Sequence, residues 1–258
     1  MVGNEKILKD EINRFFNFFD DFTKVTSKLK TDKYIGLIKR PIYLCILDTL
    51  ARCVSSPKYN YQNRLRFTSF IKNFCEWQDH TRISLLYLVR FLQIVRNPEF
   101  EELRKFANQE INKWPNGQYI FIDNDPTFDE IIKIWPKDSQ FKEPLEKVSL
   151  ESLMHLDLLY KFRNIAIHEI GKQASEEENI ENDKPYYKNG SYCDYTDNEG
   201  IKSFKEVKNT WELVCPVNFL EQLVRKGITN LKKYCEDNEL NPYKSFVFGT
   251  YWLEQLNL

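Results

Sequence analysis

Apolar residues recur every three to four positions from about Glu5 to Leu29, at Ile7, Leu8, Ile12, Phe15, Phe16, Phe19, Phe22 and Val25. That spacing puts them on one side of a long amphipathic helix. A second helix is expected from Lys39-Arg40-Pro41, with proline in its first turn, through Val54; Ile42, Leu44, Cys45, Leu47, Leu50 and Ala51 make it almost wholly apolar. Asp48 is the exception. A carboxylate there either pairs with an arginine in the core or faces a site, and the pairing is the better reading.

Ser55-Ser56-Pro57 breaks the pattern, and Arg64 to Ile71 resumes it with one apolar and one basic side. Arg64 and Arg66 are two apart, roughly 200° in bearing on a helix, so at most one faces any single site. Asp79 or Thr81 can cap a helix reaching Val95, and Pro98 starts another that reaches about Trp114. Tyr119-Ile120-Phe121-Ile122 is a strand candidate, followed by a short helix from Phe128 to Ile134. Ser149 is placed to cap a helix running through Leu150, Leu153, Met154, Leu156, Leu158, Leu159, Phe162, Ile165 and Ile167, with Gly171 as its stop.

Between about 174 and 200 the composition turns acidic and then rich in Tyr, Asn and Gly, which predicts a mobile loop. Its carboxylates lack the spacing of a calcium loop, so it reads as a solvated lid or an electrostatic guard. Trp211 to Cys215 resembles a strand, and Pro216 opens a last long helix to about Cys235. The fold expected is mainly α: an antiparallel helical bundle with extra helices and a small β-hairpin or short strands. One domain, 1–258, is expected, interrupted only by the acidic loop.

Composition narrows function without naming it. The chain has 258 residues, enough to bury a core without staples, and its formal net charge of −1 gives no global attraction to nucleic acid. RNA binding would need a local basic surface, for which Arg64 or Arg66 and, later, Lys202, Lys205, Lys208, Arg225 and Lys226 are candidates, each otherwise an ordinary solvated charge. The six cysteines are scattered, with no Cys-x-x-Cys and no zinc-finger spacing, so no metal site and no cofactor are expected. Charges interrupt every apolar run before it could span a membrane, and nothing at the N-terminus reads as a signal peptide; a cytoplasmic protein is expected. Eight glycines, none in a phosphate-binding loop, argue against a nucleotide-binding enzyme of the P-loop or Rossmann kind.

The stretch that carries chemistry is Arg163-Asn164-Ile165-Ala166-Ile167-His168. An arginine can hold a phosphate in a planar fork, and a neutral imidazole can take a proton near physiological pH. On a straight helix positions 163 and 168 diverge by roughly 140°, so they cannot serve one phosphate alone. Either the helix loosens before Gly171, or two copies meet across a two-fold axis and share a cleft. The chemistry would be attack by an RNA 2′-OH on its own 3′-phosphate: one His168 as base, the other as acid, Arg163 neutralising the phosphoryl oxygens. Asn164 would hydrogen-bond the phosphate or fix the histidine tautomer. The plainer alternative is that His168 sits at the C-terminal end of a helix dipole and Arg163 pairs with Glu151, Glu169 or the acidic loop.

The motif, late on a helix in a mostly helical chain, resembles that of the HEPN superfamily, whose pattern is Arg, four to six residues, then His. Arg163 and His168 match its two catalytic positions, and Asn164 the polar residue often found after the Arg. Arg40-Pro41-Ile42-Tyr43-Leu44-Cys45-Ile46-Leu47-Asp48, Asn63-Arg64-Leu65-Arg66-Phe67, and Trp211-Glu212-Leu213-Val214 followed by Pro216 are also similar to segments of bacterial HEPN-like proteins. The resemblance implies a metal-independent endoribonuclease acting as a homodimer, as a toxin or anti-phage effector, with an antitoxin or defence-system partner. It equally admits an inactive binding or regulatory module that uses the same helix as an interface. One subgroup of toxins carries a modifiable Tyr two residues after the His; here that residue is Ile170, so that form of regulation is not expected.

Overall fold

The computed structural model describes residues 2–30, 34–54, 62–115, 119–136, 148–168, 182–198 and 201–246. Among them the chain is mainly helical with one small antiparallel sheet, as its periodicity predicts. Its contacts group into two compact units: residues 1–77, 159–181 and 217–258 form the first, and 78–158 with 182–216 the second.

The first unit is a bundle of α1 (Val2–Lys28), α2 (Ile35–Cys53), α3 (Asn63–Phe74), the later part of α7 (His155–His168) and α8 (Val217–Asp237). Helix α8 packs on α1, α2 and α3. The inward side of α1 carries Ile12, Phe15, Phe16 and Phe19 and then Thr23 and Thr26, all buried, while Phe22 and Val25, expected on that side, are exposed. Both threonines can turn inward because their hydroxyls donate to carbonyls four residues back, at 2.7 and 2.8 Å. Helix α2 starts six residues before Pro41, so the proline lies inside it rather than in its first turn. The missing N–H costs one intrahelical hydrogen bond; against it stand Tyr43, Leu44, Ile46, Leu47, Leu50 and Ala51, all buried along the same helix. Tyr43 donates to Glu221 on α8 at 2.7 Å, and Arg225 grips the same carboxylate.

The second unit holds α4 (Leu85–Ile94), α5 (Glu101–Ile111), α6 (Phe128–Ile134) and the strands β1 (Ile120–Phe121), β2 (Tyr186–Asn198) and β3 (Ile201–Val214), ordered β1-β2-β3 and antiparallel throughout. Leu88, Leu92, Phe100, Leu103, Ala107 and Ile131 lie at the centre of its core. Residues 186–198, expected to be loop, are strand β2: Tyr186 pairs with Val214 and the ladder continues to Asn198 opposite Ile201. A bulge falls where Asp194 faces Glu206 and Tyr195 faces Phe204, leaving Lys205 as the extra residue. Aliphatic content missed this strand because the residues that anchor its start are tyrosines, Tyr186 and Tyr187, which as neighbours point to opposite faces and are both fully buried. Of the rest of the expected acidic loop, 182–185 lead into β2, and 174–181 and 199–200 lie outside the described residues.

The helix expected from Ser149 onward is two elements. Leu150–Leu153 is a 3₁₀ turn, Met154 is extended and bridges Ile83, and α7 begins only at His155. Ser84, rather than Asp79 or Thr81, caps α4 by accepting from the Tyr87 amide. A buried chain of polar groups holds this corner: Ser84 to the Tyr187 hydroxyl at 2.8 Å, Tyr187 to Asp125, and Asp125 to His155 Nε2 at 2.6 Å. Asp125 also accepts from the Leu85 amide with its other oxygen.

Candidate functional site

Asp48 is the only carboxylate on α2, in a stretch that buries Leu44, Leu47 and Ala51, so it is carried into the bundle with 9% of its side chain exposed. A lone carboxylate there requires a cation. Arg163 reaches it from α7 at 3.0 Å, Arg66 from α3 at 3.7 Å, and Arg52, one helical turn along α2, at 3.8 Å. The side chains of Arg163 and Arg66 are only 15% and 11% exposed, whereas Arg52 is nearly half exposed. Two buried guanidiniums therefore share one buried carboxylate, with a third cation at the rim. Burial draws the Arg66 guanidinium below its ordinary pKa; Asp48 opposes that shift, and Arg52 and Arg163 add to it.

The cluster is incompletely hydrogen-bonded. Asp48 Oδ1, Arg66 Nε and Arg163 Nε are buried and have no hydrogen-bond partner among the described residues. Arg163 Nη1 donates to its neighbour Asn164 Oδ1 at 2.9 Å, so the asparagine orients the arginine rather than the imidazole within one chain. Cys45, three residues before Asp48, feels the same charges: burial pushes its thiol up, Arg163 pulls it down and Asp48 pushes it up.

His168 lies elsewhere on the helix. It is exposed at the end of the described part of α7, on the side that also exposes Lys161 and Ile165, the latter at 41%. Helix α7 is regular through His168, so no loosening brings it round to Arg163 within the described residues. No hydrogen bond or ion pair joins the two. Arg66, not Arg64, is the member of its pair that turns inward; Arg64 is exposed. Lys202 and Lys205 lie on β3, in the second unit, at a paired position opposite Asp197 and at the bulge. Arg225 and Lys226 are engaged with Glu221 and Glu76 on the surface of the first unit.

Asp48 pairs with an arginine in the core, as the sequence predicts; its role as a hub shared by three arginines is not predicted there. Its spacing to Arg52, i to i+4 on a helix, was visible in the sequence; its reach to Arg66 and Arg163 on two other helices was not. Glu151, offered as a partner for Arg163, is not the residue that binds it; Glu169 lies outside the described residues.

These observations define a mainly helical protein with a small antiparallel sheet and an arginine-rich, carboxylate-centred cluster in its helical bundle. Comparison with protein-family models, with curated proteins and with solved structures finds no match to the chain. Among the described residues no helix is long and apolar enough to cross a membrane, and no group of three or more His, Cys, Asp or Glu is placed to hold a metal ion.

Proposed function

We propose that the chain is a metal-independent endoribonuclease of the HEPN type, acting as a homodimer in the cytoplasm as a toxin or anti-phage effector. The observation that carries the reading is the division of α7 into two sides. Arg163 is fixed inward by Asp48 and Asn164, and His168 stands exposed beside Ile165 without a hydrogen bond or ion pair among the described residues. A two-fold axis along the exposed side would set two imidazoles near each other, with the exposed Ile165 supplying apolar contact. One imidazole would take the proton from the 2′-OH. As that oxygen attacks the 3′-phosphorus, the second would protonate the departing 5′ oxygen, leaving a 2′,3′-cyclic phosphate and a 5′-hydroxyl. For Arg163 to stabilise the charge growing on the phosphoryl oxygens, it would exchange Asp48 for the phosphate as the dimer and RNA assemble, with Arg66 as the next cation.

A second reading has its own observation. Arg163 is already paired at 3.0 Å with a buried carboxylate, as a purely structural arginine would be. On that reading α7 is an interface of a non-catalytic regulatory module. The two separate in one assay on the purified full chain. Incubation with single-stranded RNA in excess chelator is expected to yield cyclic-phosphate products, and R163A or H168A is expected to lose at least about a hundredfold in rate while remaining folded and dimeric. RNA left intact by the wild-type dimer, with H168A altering association instead, would establish the regulatory module.

A further inference from the structure

Arg66 faces two ways. Beside the Asp48 cluster it also lines an open groove of about 400 Å3, whose other walls are Ala51 and Val54 at the end of α2, Ser69, Phe70, Asn73 and Phe74 on α3, and Tyr234 on α8. Positions 66, 69 and 73 are i, i+3 and i+7, so one stripe of α3 supplies a guanidinium, a hydroxyl and a carboxamide in succession. The volume lies within the range of small-molecule pockets.

Near the groove, three hydroxyls are satisfied within their own helices. Thr49, Thr68 and Thr229, on the same three helices, each turn their hydroxyl back onto a carbonyl of their own helix. In the groove, the buried Nε of Arg66 has no hydrogen-bond partner among the described residues, and Ser69, Asn73 and Tyr234 line it with a hydroxyl, a carboxamide and a phenol, the last two open to solvent. The aromatic wall is held in place: Phe74 meets Tyr234 at 5.4 Å and 75°, edge to face, and Phe70 stacks on Phe74 at 5.5 Å. Phe70 is wholly buried and forms the floor, while Tyr234 is 40% exposed. An aromatic wall, hydrogen-bonding groups along one edge and a cation at one end match a nucleotide: a flat ring with a polar edge, joined to an anionic phosphate.

We propose that this groove is a base-binding subsite for single-stranded RNA, seating the base of a nucleotide next to the scissile phosphate. Resting on the endoribonuclease reading above, it adds the groups that contact the base. The base lies against the Phe74 and Tyr234 rings, Asn73 and Ser69 hydrogen-bond its edge, and Arg66 spans from the base subsite to the phosphate held near Arg163. Asn73 can offer both a donor and an acceptor, so it can pair with a base edge bidentately.

The test is equilibrium binding of each of the four ribonucleoside 3′-monophosphates, and of inorganic phosphate, to the full chain. The H168A protein is used alongside wild type so that cleavage cannot intervene. At least one nucleotide is expected to bind, and N73A and Y234A are each expected to weaken it by about tenfold, the scale of losing one stacking or edge contact. Inorganic phosphate should bind more weakly and be indifferent to both variants, since neither residue carries charge. Asn73 and Tyr234 are exposed, and unchanged thermal unfolding of the two variants checks that the bundle is intact. Absence of nucleotide binding, or binding indifferent to both substitutions, overturns the subsite even if RNA is cut. Nucleotide binding that depends on Asn73 and Tyr234 in a protein that leaves RNA intact keeps the subsite and overturns the nuclease reading.

Discussion

Replacing Asp48 with asparagine removes a charge and almost no volume, which makes it the sharpest perturbation of the arginine cluster. In wild type the carboxylate attracts Arg163 at 3.0 Å and Arg66 at 3.7 Å. At an effective dielectric constant of about 20, these attractions are each about 5 kcal/mol before desolvation and repulsion between the guanidiniums are set against them. Arg52, nearly half exposed at 3.8 Å, adds about 1 kcal/mol at most. Removing one partner of a buried pair costs about 3 to 5 kcal/mol, and the residual exposure of both arginines places D48N at the lower end, about 3 kcal/mol. For a chain of this size that is a fall of about 6 to 12 °C in the unfolding midpoint of the bundle. Urea unfolding followed by circular dichroism measures it, and amide exchange should localise the loss to α2, α3 and α7. Two further results are required if charge is the cause. Sulfate at constant ionic strength should restore D48N more than it stabilises wild type, since an anion can replace the missing carboxylate. R66M should cost less than D48N, because it removes the excess cation rather than its counter-ion. A D48N protein within about 0.5 kcal/mol of wild type, at the scale of a neutral surface change, would refute the reasoning.

The thiol of Cys45 reports on the same field: alkylation by iodoacetamide at pH 8 should slow in R163A, where a charge that lowers its pKa is lost, and quicken in D48N; unchanged rates in both would place Cys45 outside the field of the cluster. In the second unit, Y187F removes a hydroxyl that donates to the buried Asp125, at a cost of about 1.5 to 3 kcal/mol in urea unfolding. Burial, and then Asp125, raise the Tyr187 pKa well above its ordinary value, so its contribution is fully present below the unfolded value of about 10 and is lost as pH rises through the folded one. Wild type should therefore lose stability above about pH 10 more steeply than Y187F, and parallel curves would remove Tyr187 from the account. At Gly227 an added Cβ would sit 2.9 Å from Phe70 Cζ and 3.3 Å from Cys75 Sγ. G227A gains about 1 kcal/mol of helix propensity against about 1 to 3 kcal/mol of overpacking, so a net loss near 1 kcal/mol is expected, relieved by F70L in the double variant; a more stable G227A would mean that Phe70 gives way freely.

How much of this was legible depended on whether a residue's role is local. The helices α1, α3, α5, α6 and α8 follow from apolar spacing and turn residues because those signals act within one or two turns of chain. Where a tertiary partner decides, the pattern misleads. The apolar run from Leu150 to Ile167 reads as one helix, yet Met154 leaves it to bridge Ile83, a residue far away in sequence. Strand β2 hides in polar and aromatic composition because its partner β3, not its own periodicity, makes it a strand. Pro41 marks no helix start because burial along the rest of α2 outweighs one lost hydrogen bond.

The candidate site divides along the same line. The divergence of Arg163 and His168 needed only the pitch of a helix, and the regular course of α7 keeps them apart. What holds Arg163 needed three helices: Asp48 lies 115 positions earlier in the chain and Arg66 lies between them, so no local spacing could pair them. That distinction bears on the chemistry. Arg163 is steadied by a carboxylate on another helix, whereas His168 has no hydrogen bond or ion pair among the described residues to hold it. Under the nuclease reading proposed above, a phosphate would have to compete with Asp48 for Arg163, and the acid and base would come from the His168 of each of two copies.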